Sequence, residues 1–506
     1  MARRSHTLVL FMLGVAACAP DSVSAPSSAT RAAPRLFVGP LSNSTVLVRP
    51  STMNGWTFLS DNDLSPCTSP TCEMRTGPLT APSGAGSAQI SVPGANDRNI
   101  LALAAYQGVS LSSITRLEYS TLRQSADPGN LLALALQFNV DYDPNDAITG
   151  WQSRIVFEPY FGGGSGNIPQ STWQTWDALA GSPSGRWWGP SSVRCPQANP
   201  CSWAQLLAAY PNIRVHPTLG AVLIKAGGGG TWPGFSGNVD NLIIGVSGSE
   251  TTYDFEPDTY WGACVVDDDG NTYTLLANCI TDQTLVLPGG YTLDGNGFSI
   301  TAVDPVGGHF LGAVVKNGGA TAHVFGVTVT ASSLSNVCDA GDNRLRGILF
   351  DGAGGSITNS TVSGVRQGPS GCQEGNAIEV RNLDALGNPA ATLRAVTISG
   401  NVVADYQKNG ITANGNVAAT ITGNQIAGDG AVTYIAQNGV QVGFGATGLV
   451  QGNTITGNDY TPSSYVACGL LMYEADGIKQ KSNRFGTNEK DVCNFGRGGG
   501  KFNPEP

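Results

Sequence analysis

The chain has 506 residues, of which only 13% are charged, and its formal net charge is −10. A chain of this charge lacks the basic surface needed to neutralise phosphates, which argues against nucleic acid as a partner. The 67 glycines and 29 prolines leave little material for long helices and indicate a glycine-rich β protein. The length suggests roughly two or three domains.

Residues 1–17 have the layout of an export signal peptide. Two arginines precede an apolar run from Leu8 to Val15, and small residues follow directly before Cys18. The run is too short for a membrane span, which needs roughly 20 residues. The string Val-Ala-Ala-Cys that ends at Cys18 resembles the lipobox of bacterial lipoproteins, in which the cysteine is lipidated. The alternative is an ordinary secretory signal that is cut after Ala17.

Residues 18–35 are rich in alanine, serine, proline and threonine, which predicts a flexible tether behind the lipid anchor. The residue after the cysteine is Ala19 and not aspartate. In the Gram-negative sorting rule this implies an exported lipoprotein anchored in the outer membrane, on its periplasmic or extracellular face.

Residues 36–257 show short β-type runs that are divided by clusters of Gly, Pro, Asn and Asp. Runs at this spacing predict an antiparallel β-sandwich. The segment from Phe235 to Ile244 looks like the closing strand of lectin-like sandwiches of the concanavalin or laminin-G type. The resemblance implies a carbohydrate-binding-like domain. One segment, from Ser202 to Tyr210, has the apolar pattern of a short helix.

Residues 258–506 repeat one pattern at a period near 30 residues. Lys408-Asn409-Gly410-Ile411 recurs as Gln437-Asn438-Gly439-Val440, 29 residues later. A helical or leucine-rich array can have a similar period, but these repeats consist of β-branched runs broken by Gly-Asn corners. They predict a parallel β-helix whose coils stack about 4.8 Å apart. Alternate residues such as Ile411 and Ala413, and Val440 and Val442, are then expected to face inward.

The region 262–495 resembles the pectate-lyase-like superfamily of right-handed parallel β-helices, with the stretch from Cys264 to Ile300 as its opening coil. The chain is therefore predicted to be all-β, with an N-terminal antiparallel β-sandwich followed by a right-handed parallel β-helix and a C-terminal cap. The resemblance lends no catalytic residue, because this superfamily contains lyases, hydrolases, epimerases and adhesins. The motifs of polygalacturonases are not intact, and the nearest fragments are Gly308-His309-Phe310 and Ile478-Lys479.

The cysteine pattern fits an oxidising compartment. Of the 11 cysteines, ten remain when Cys18 is set aside, and they fall into neighbouring pairs. Local pairing is the simplest framework, and a metal site is disfavoured because CxxC spacing is absent and only four histidines exist. The predicted disulfides are Cys67–Cys72, Cys195–Cys201, Cys264–Cys279, Cys338–Cys372 and Cys468–Cys493.

Asparagines are the polar residues that the repeats retain most often. Asn376, Asn409 and Asn438 share one register, and a second register contains Asn424, Asn453 and Asn483. They can be interpreted as a sugar-contacting row. A structural ladder is favoured, because asparagine tolerates left-handed backbone angles and stacked amides bond to each other and to turn backbone.

Outward-facing charges on the coils are the candidates for chemistry. If Ile411 points inward, Thr412 and Lys408 point outward, and Glu379 and Gln441 occupy the Thr412 register on neighbouring coils. An acidic and a basic group on one face can act in β-elimination or hydrolysis of a polysaccharide. The predicted catalytic residues are Asp405, Lys408 and Glu379, and the predicted substrate-binding residues on this face are Arg381, Arg366, Glu374 and Gln441. The alternative is a solvated face whose charges keep the protein soluble.

Four tryptophans in the first part invite a binding hypothesis, because sugar rings stack on indoles. Trp173, Trp176, Trp187 and Trp188 lie within one short region and are predicted to include an exposed substrate-binding pair. For any single tryptophan, the alternative is a place in the core.

No cofactor is expected. The clusters Asp141/Asp143/Asn145/Asp146 and Asp267/Asp268/Asp269 resemble calcium ligands in composition, but neither follows the full pattern of a calcium loop. Turn formation and solvation explain both clusters, and calcium binding is the less favoured alternative.

The sequence therefore predicts a cell-surface or secreted lipoprotein that binds polysaccharide through its β-helix. If it is an enzyme, it is a polysaccharide lyase or a glycoside hydrolase. The alternative is a non-catalytic structural or adhesion protein with the β-helix as a rigid spacer. The glycine-rich tail from Arg497 to Pro506 looks like a cap that prevents end-to-end growth, so a monomer is predicted. The expected partners are a glycan and the outer membrane.

Overall fold

A computed structural model describes residues 43–126, 131–162, 168–181, 185–228, 231–462 and 464–496. The predicted export signal, lipidated Cys18, the tether at 18–35 and the tail from Arg497 to Pro506 lie outside these residues. Within them, no helix is both long and apolar enough to cross a lipid bilayer.

The first part of the chain consists of short strands with two brief α-helices, α1 Pro159–Gly162 and α2 Trp203–Ala209. In chain order the described strands are β1 Asn43–Val48, β2 Trp56–Ser60, β3 Cys72–Thr76, β4 Gly86–Val92, β5 Arg98–Leu103, β6 Ile114–Arg123, β7 Ala135–Asp141, β8 Ser153–Phe157, β9 Trp173–Asp177, β10 Trp187–Trp188, β11 Arg214–Val215, β12 Val222–Gly227, β13 Phe235–Val246 and β14 Ser249–Phe255.

These strands form two seven-stranded sheets. Sheet I has the order β1-β14-β13-β4-β3, with β6 paired to β13 and β9 paired to β6. Sheet II has the order β10-β8-β7-β12-β5-β2, with β11 paired to β7. All described pairings are antiparallel except that of β1 with β14. Buried side chains of both sheets, such as Ile90 and Val239 from sheet I and Phe138 and Ile224 from sheet II, belong to one hydrophobic core.

Local sequence signals account for individual elements of this part. The Phe235–Ile244 segment lies in β13, which pairs with β14, β4 and β6. It is therefore a central strand of sheet I. It is not, as predicted, the last strand of this part, because β14 follows it. The predicted short helix is α2. Ser202 caps it, because the Ser202 side chain accepts from the Gln205 amide and the Gln205 side chain accepts from the Ser202 amide.

The second part is built from repeating coils. Its described strands are β15 Thr259–Trp261, β16 Cys264–Asp268, β17 Thr272–Leu275, β18 Cys279–Thr281, β19 Leu285–Leu287, β20 Thr292–Asp294, β21 Ser299–Ala302, β22 Ala313–Asn317, β23 Thr321–Phe325, β24 Thr328–Ala331, β25 Arg346–Asp351, β26 Gly354–Thr358, β27 Thr361–Ser363, β28 Asn376–Asn382, β29 Arg394–Ser399, β30 Val402–Ala404, β31 Asn409–Gly415, β32 Val417–Thr422, β33 Gln425–Val432, β34 Asn438–Gly443, β35 Thr447–Gln451, β36 Thr454–Tyr460, β37 Cys468–Tyr473, β38 Gly477–Lys481, β39 Arg484–Phe485 and β40 Lys490–Phe495. One 3₁₀ turn lies in the first part at Leu111–Ser113, and one lies in the second part at Gly341–Asn343.

Three stacked sheets run along the coils, as in a parallel β-helix. Sheet III has the order β15-β16-β17-β20-β23-β26-β29-β32-β35-β38, sheet IV β18-β21-β24-β27-β30-β33-β36-β39 and sheet V β19-β22-β25-β28-β31-β34-β37-β40. Each described pair is parallel except β15–β16 and β16–β17, which open the stack. Each coil contributes one strand to each sheet, so strands that are neighbours in a sheet lie about one repeat apart in sequence.

The predicted register is confirmed. Ile411 lies beside Val440, and Val440 lies beside Leu470. The inward residues Ile411, Ala413, Val440 and Val442 belong to the core of the coils. Gly410 is required by close packing, because a Cβ there would lie 2.6 Å from the carbonyl oxygen of Gly439.

The asparagine registers form ladders of side-chain amides. Asn453 is fully buried, donates to the Ile421 carbonyl at 2.9 Å and to Asn483 Oδ1 at 3.0 Å, and accepts from the Asn424 amide at 2.9 Å. In the other register, Asn438 donates to Asn409 Oδ1 at 2.9 Å. The corner amides thus replace water for backbone groups that the sheets leave unpaired, which is the structural role favoured from the sequence.

The five predicted disulfides are all present.

The acidic clusters act in turns and ion pairs. Asp143 accepts from the Asn145 amide, Asp269 accepts from the Thr272 amide, and Asp267 pairs with Arg49 at 2.7 Å.

We expect Asn453→Ala to lower the free energy of unfolding, because it removes the Asn453 side chain as hydrogen-bond partner of the Ile421 carbonyl and the Asn424 amide. Each unpaired buried polar group costs about 1 to 3 kcal/mol. Urea denaturation measures the loss. Gln480→Ala, at an exposed position of β38, is the control and should change stability by less than about 0.5 kcal/mol. Equal effects of the two substitutions would contradict the ladder.

Candidate functional site

Sheet V presents one row of side chains away from the core of the coils. Glu379, Thr412 and Gln441 are neighbours in this row, as predicted. All three are buried, and so are the flanking Leu349 and Leu471. This part of sheet V is therefore not a solvated face, in contrast to the alternative that its charges keep the protein soluble.

Glu379 is held by cations and amides of the protein. Its Oε2 atom accepts from Arg346 Nε at 2.6 Å and from Asn376 Nδ2 at 2.8 Å, and Arg381 Nη1 lies 3.8 Å from Oε1. Both Glu379 and Arg346 are 1% exposed. Burying a carboxylate is costly unless other groups pair with it, so these contacts explain how Glu379 is accommodated in the sheet.

The structure does not bring Asp405, Lys408 and Glu379 together on one accessible face. Lys408 is 1% exposed, and its Nζ atom donates to the Ala436 carbonyl at 3.0 Å. The Asp405 side chain is 53% exposed in the corner after β30, where its φ of 49° is left-handed. The alternation along a strand gives the face of each residue, but it does not show which residues the connecting loops cover.

Asp405 contacts Arg366 in a corner cluster that the sequence did not reveal. One nitrogen, Arg366 Nη1, lies 2.5 Å from a carboxylate oxygen of Asp405 and 2.5 Å from one of Asp429. The other, Nη2, donates to the Tyr434 hydroxyl at 2.7 Å, and this hydroxyl donates to Asp429 at 3.1 Å. Asp429 and Tyr434 were missed because β33 has an irregular register after Ala427.

The remaining predicted binding residues of the coils contact the protein itself. Arg381 pairs with Asp351 at 2.9 Å. Glu374 accepts from the Leu345 amide at 2.8 Å and from the Asp339 amide at 3.0 Å, and burial raises the pKa of its carboxyl. Gln441 donates to Asn414 Oδ1 at 3.2 Å. These contacts hold loops and coils together.

The four candidate tryptophans divide into core and surface residues. Trp187 is fully buried against Phe138, and its Nε1 donates to the Ala178 carbonyl at 2.8 Å. Trp176 is buried and donates to Thr121 Oγ1 at 2.8 Å. Trp173 is half-buried and donates to the Pro78 carbonyl at 3.0 Å. Trp188 is half-buried and lines a cleft.

This cleft lies on the face of sheet II that points away from the core and has a volume of about 780 Å³. Successive side chains of a strand point to opposite faces of the sheet, and this alternation determines which residues form the floor of the cleft. Phe138, Ile224 and Trp187 belong to the core. Their chain neighbours Gln137, Lys225 and Trp188 point the other way and line the cleft, and its walls include Arg98, Glu158, Tyr160, Phe161, Gln197 and Trp232.

An ionic network stabilises the cleft floor. Arg154 forms a two-bond contact with Asp61, at 2.7 Å for each nitrogen, and Lys225 Nζ lies 2.6 Å from the same carboxylate. Burial raises the pKa of the Glu158 carboxyl, although the nearby Trp188 and Gln197 side chains partly offset the rise. Only Trp188 among the cleft residues was predicted, because the others meet through pairings of strands that are distant in sequence.

Comparisons with known proteins describe the coils. A family model for the right handed beta helix region matches residues 346–502, and no curated protein sequence matches the chain. The chain carries this right-handed β-helix region, as predicted. The solved Agl-KA catalytic domain is 11% identical, with 86% of this chain and 72% of that chain covered and a TM-score of 0.19. The catalytic domain of a GH87 alpha-1,3-glucanase in complex with nigerose is 9% identical, with coverages of 87% and 98% and a TM-score of 0.13.

We expect Glu379→Gln to lower the free energy of unfolding by about 3 to 5 kcal/mol, because it leaves buried Arg346 without its carboxylate. Urea denaturation of the disulfide-intact protein measures the loss. Asp342→Asn is the control, since the Asp342 side chain is 70% exposed in its pair with Arg381, and a loss of at most about 1 kcal/mol is expected there. Similar losses for both variants would show that the Glu379 pair is not a buried structural contact.

Proposed function

We propose that this chain is an exported glycan-binding protein that takes its ligand in the cleft on sheet II, with the β-helix as a rigid support. The observation that carries the proposal is the composition of the cleft. Trp188, Trp232 and Tyr160 offer aromatic faces, and Gln137 and Gln197 offer amides. Aromatic rings bind the apolar faces of sugars, while a few polar groups fix the hydroxyls, and this mixture is typical of small-ligand sites.

Binding is favoured over cleavage by the burial of the predicted catalytic groups. Lys408 and Glu379 are each 1% exposed and bonded to the protein. A general base must reach the proton that it removes, so these two side chains are poorly placed to act on a polysaccharide. The observation supports a non-catalytic role for this part of sheet V.

Attachment to the outer membrane is a further part of the proposal. It is supported by the export-signal layout of residues 1–17 and the lipobox-like string that ends at Cys18. A lipid anchor followed by the low-complexity segment 18–35 would hold the glycan site at a membrane surface.

We expect Trp188→Ala and Trp232→Ala each to weaken glycan binding by about tenfold or more, because each removes a stacking surface. A glycan array, followed by calorimetric titration of the best ligand, measures the effect. Tyr260→Ala is the control, since Tyr260 is an exposed aromatic residue of β15 outside the cleft. Wild-type protein that binds no glycan, or cleft variants that bind as the control does, would refute the proposal.

We expect Cys18→Ser to move the protein from the membrane fraction to the soluble fraction of its host, because the serine cannot be lipidated. Fractionation with immunoblotting and mass spectrometry of the N-terminal peptide measure this change. Alanine at Ser24, beyond the lipobox, is the control. An unlipidated wild-type protein cut after Ala17 would support the ordinary secretory signal instead.

A further inference from the structure

The cleft on sheet II contains more positive than negative charge. Among the described residues that line it, those of charged type are Arg98, Lys225 and Glu158. No carboxylate of the described residues pairs with the exposed Arg98 guanidinium. This is unusual for a chain with a net charge of −10.

The ion pairs that Asp61 forms with Lys225 and Arg154 do not cancel this charge. Asp61 is bound by both terminal nitrogens of Arg154, and Lys225 contacts the same carboxylate. Two cations therefore share one anion. Burial lowers the pKa of Lys225, and the proximity of Arg154 and Arg98 lowers it further, while Asp61 opposes both effects. Lys225 is thus repelled by two other cations, Arg154 and Arg98, while only Asp61 attracts it.

Glu158 is the carboxylate that can oppose these cations inside the cleft. Its burial raises the pKa of the carboxyl, which reduces the cost of protonation when another anion enters. An anion beside Arg98 and Lys225 would replace repulsion with attraction in a partly desolvated site.

We infer that the cleft binds an acidic saccharide, whose carboxylate or sulfate lies against Arg98 and Lys225 while a sugar ring stacks on Trp188. The inference rests on the proposed glycan-binding function and names the ligand class of the same site. Arg98 can form a two-bond contact with a carboxylate, for which its planar guanidinium is suited, and Lys225 adds a point charge.

The test is calorimetric titration of the mature protein with oligogalacturonate and with the same oligomer after reduction of its carboxylates to alcohols. We expect the acidic form to bind about tenfold tighter or more at low salt. The advantage should largely disappear at about 0.5 M NaCl, where screening shortens the range of the attraction. A sulfated oligosaccharide of equal length distinguishes carboxylate from sulfate as the preferred anion.

Arg98→Gln should remove most of the advantage that the acidic form has over the reduced form. Lys481→Gln is the matched control, because it removes one exposed positive charge of β38, outside the cleft, and should preserve the preference. Equal binding of the acidic and reduced oligomers would overturn the inference but leave glycan binding intact. Absence of binding by any saccharide probe would overturn both.

Discussion

The structure depends on the stacking of backbone hydrogen bonds from one coil to the next. In a parallel stack the amides and carbonyls of each strand bond to the coils above and below. Residues about 30 positions apart in sequence therefore become neighbours in adjacent coils. The corners are the weak points, because the sheet ladder ends there. Asn424, Asn453 and Asn483 supply the missing partners, and each links its own coil to a neighbouring coil.

This constraint also occupies many of the polar side chains of the coils. On the coils, polar side chains that were candidates for chemistry are bonded to neighbouring coils or loops: Glu379 with Arg346, Lys408 with the Ala436 carbonyl, and Gln441 with Asn414. Sheet II differs, because its outward face leaves aromatic rings and cations lining an open volume. The division suggests that the coils supply rigidity while the first part of the chain supplies recognition.

Sequence periodicity was sufficient for the coils and insufficient for the site. The Asn-Gly strings predicted that Gly410 and Gly439 lie one above the other, because residues at equivalent positions of successive repeats are neighbours in adjacent coils. The cysteine pairs were readable for a similar reason, since their partners lie close in sequence. The cleft was not readable, because Arg98, Gln137 and Lys225 come together only through the pairing of β5, β7 and β12. Burial of Lys408 was also missed, since it depends on a loop carbonyl that no repeat encodes.

The central claim is that ligand recognition belongs to sheet II and that the polar face of sheet V is structural. A crystal structure of the mature chain with a bound acidic oligosaccharide tests this claim most directly. The account predicts sugar density in the cleft beside Trp188 and Trp232, with an acidic group next to Arg98, and an unchanged Arg346–Glu379 pair. Sugar density on sheet V at Glu379, with an empty cleft, would contradict it.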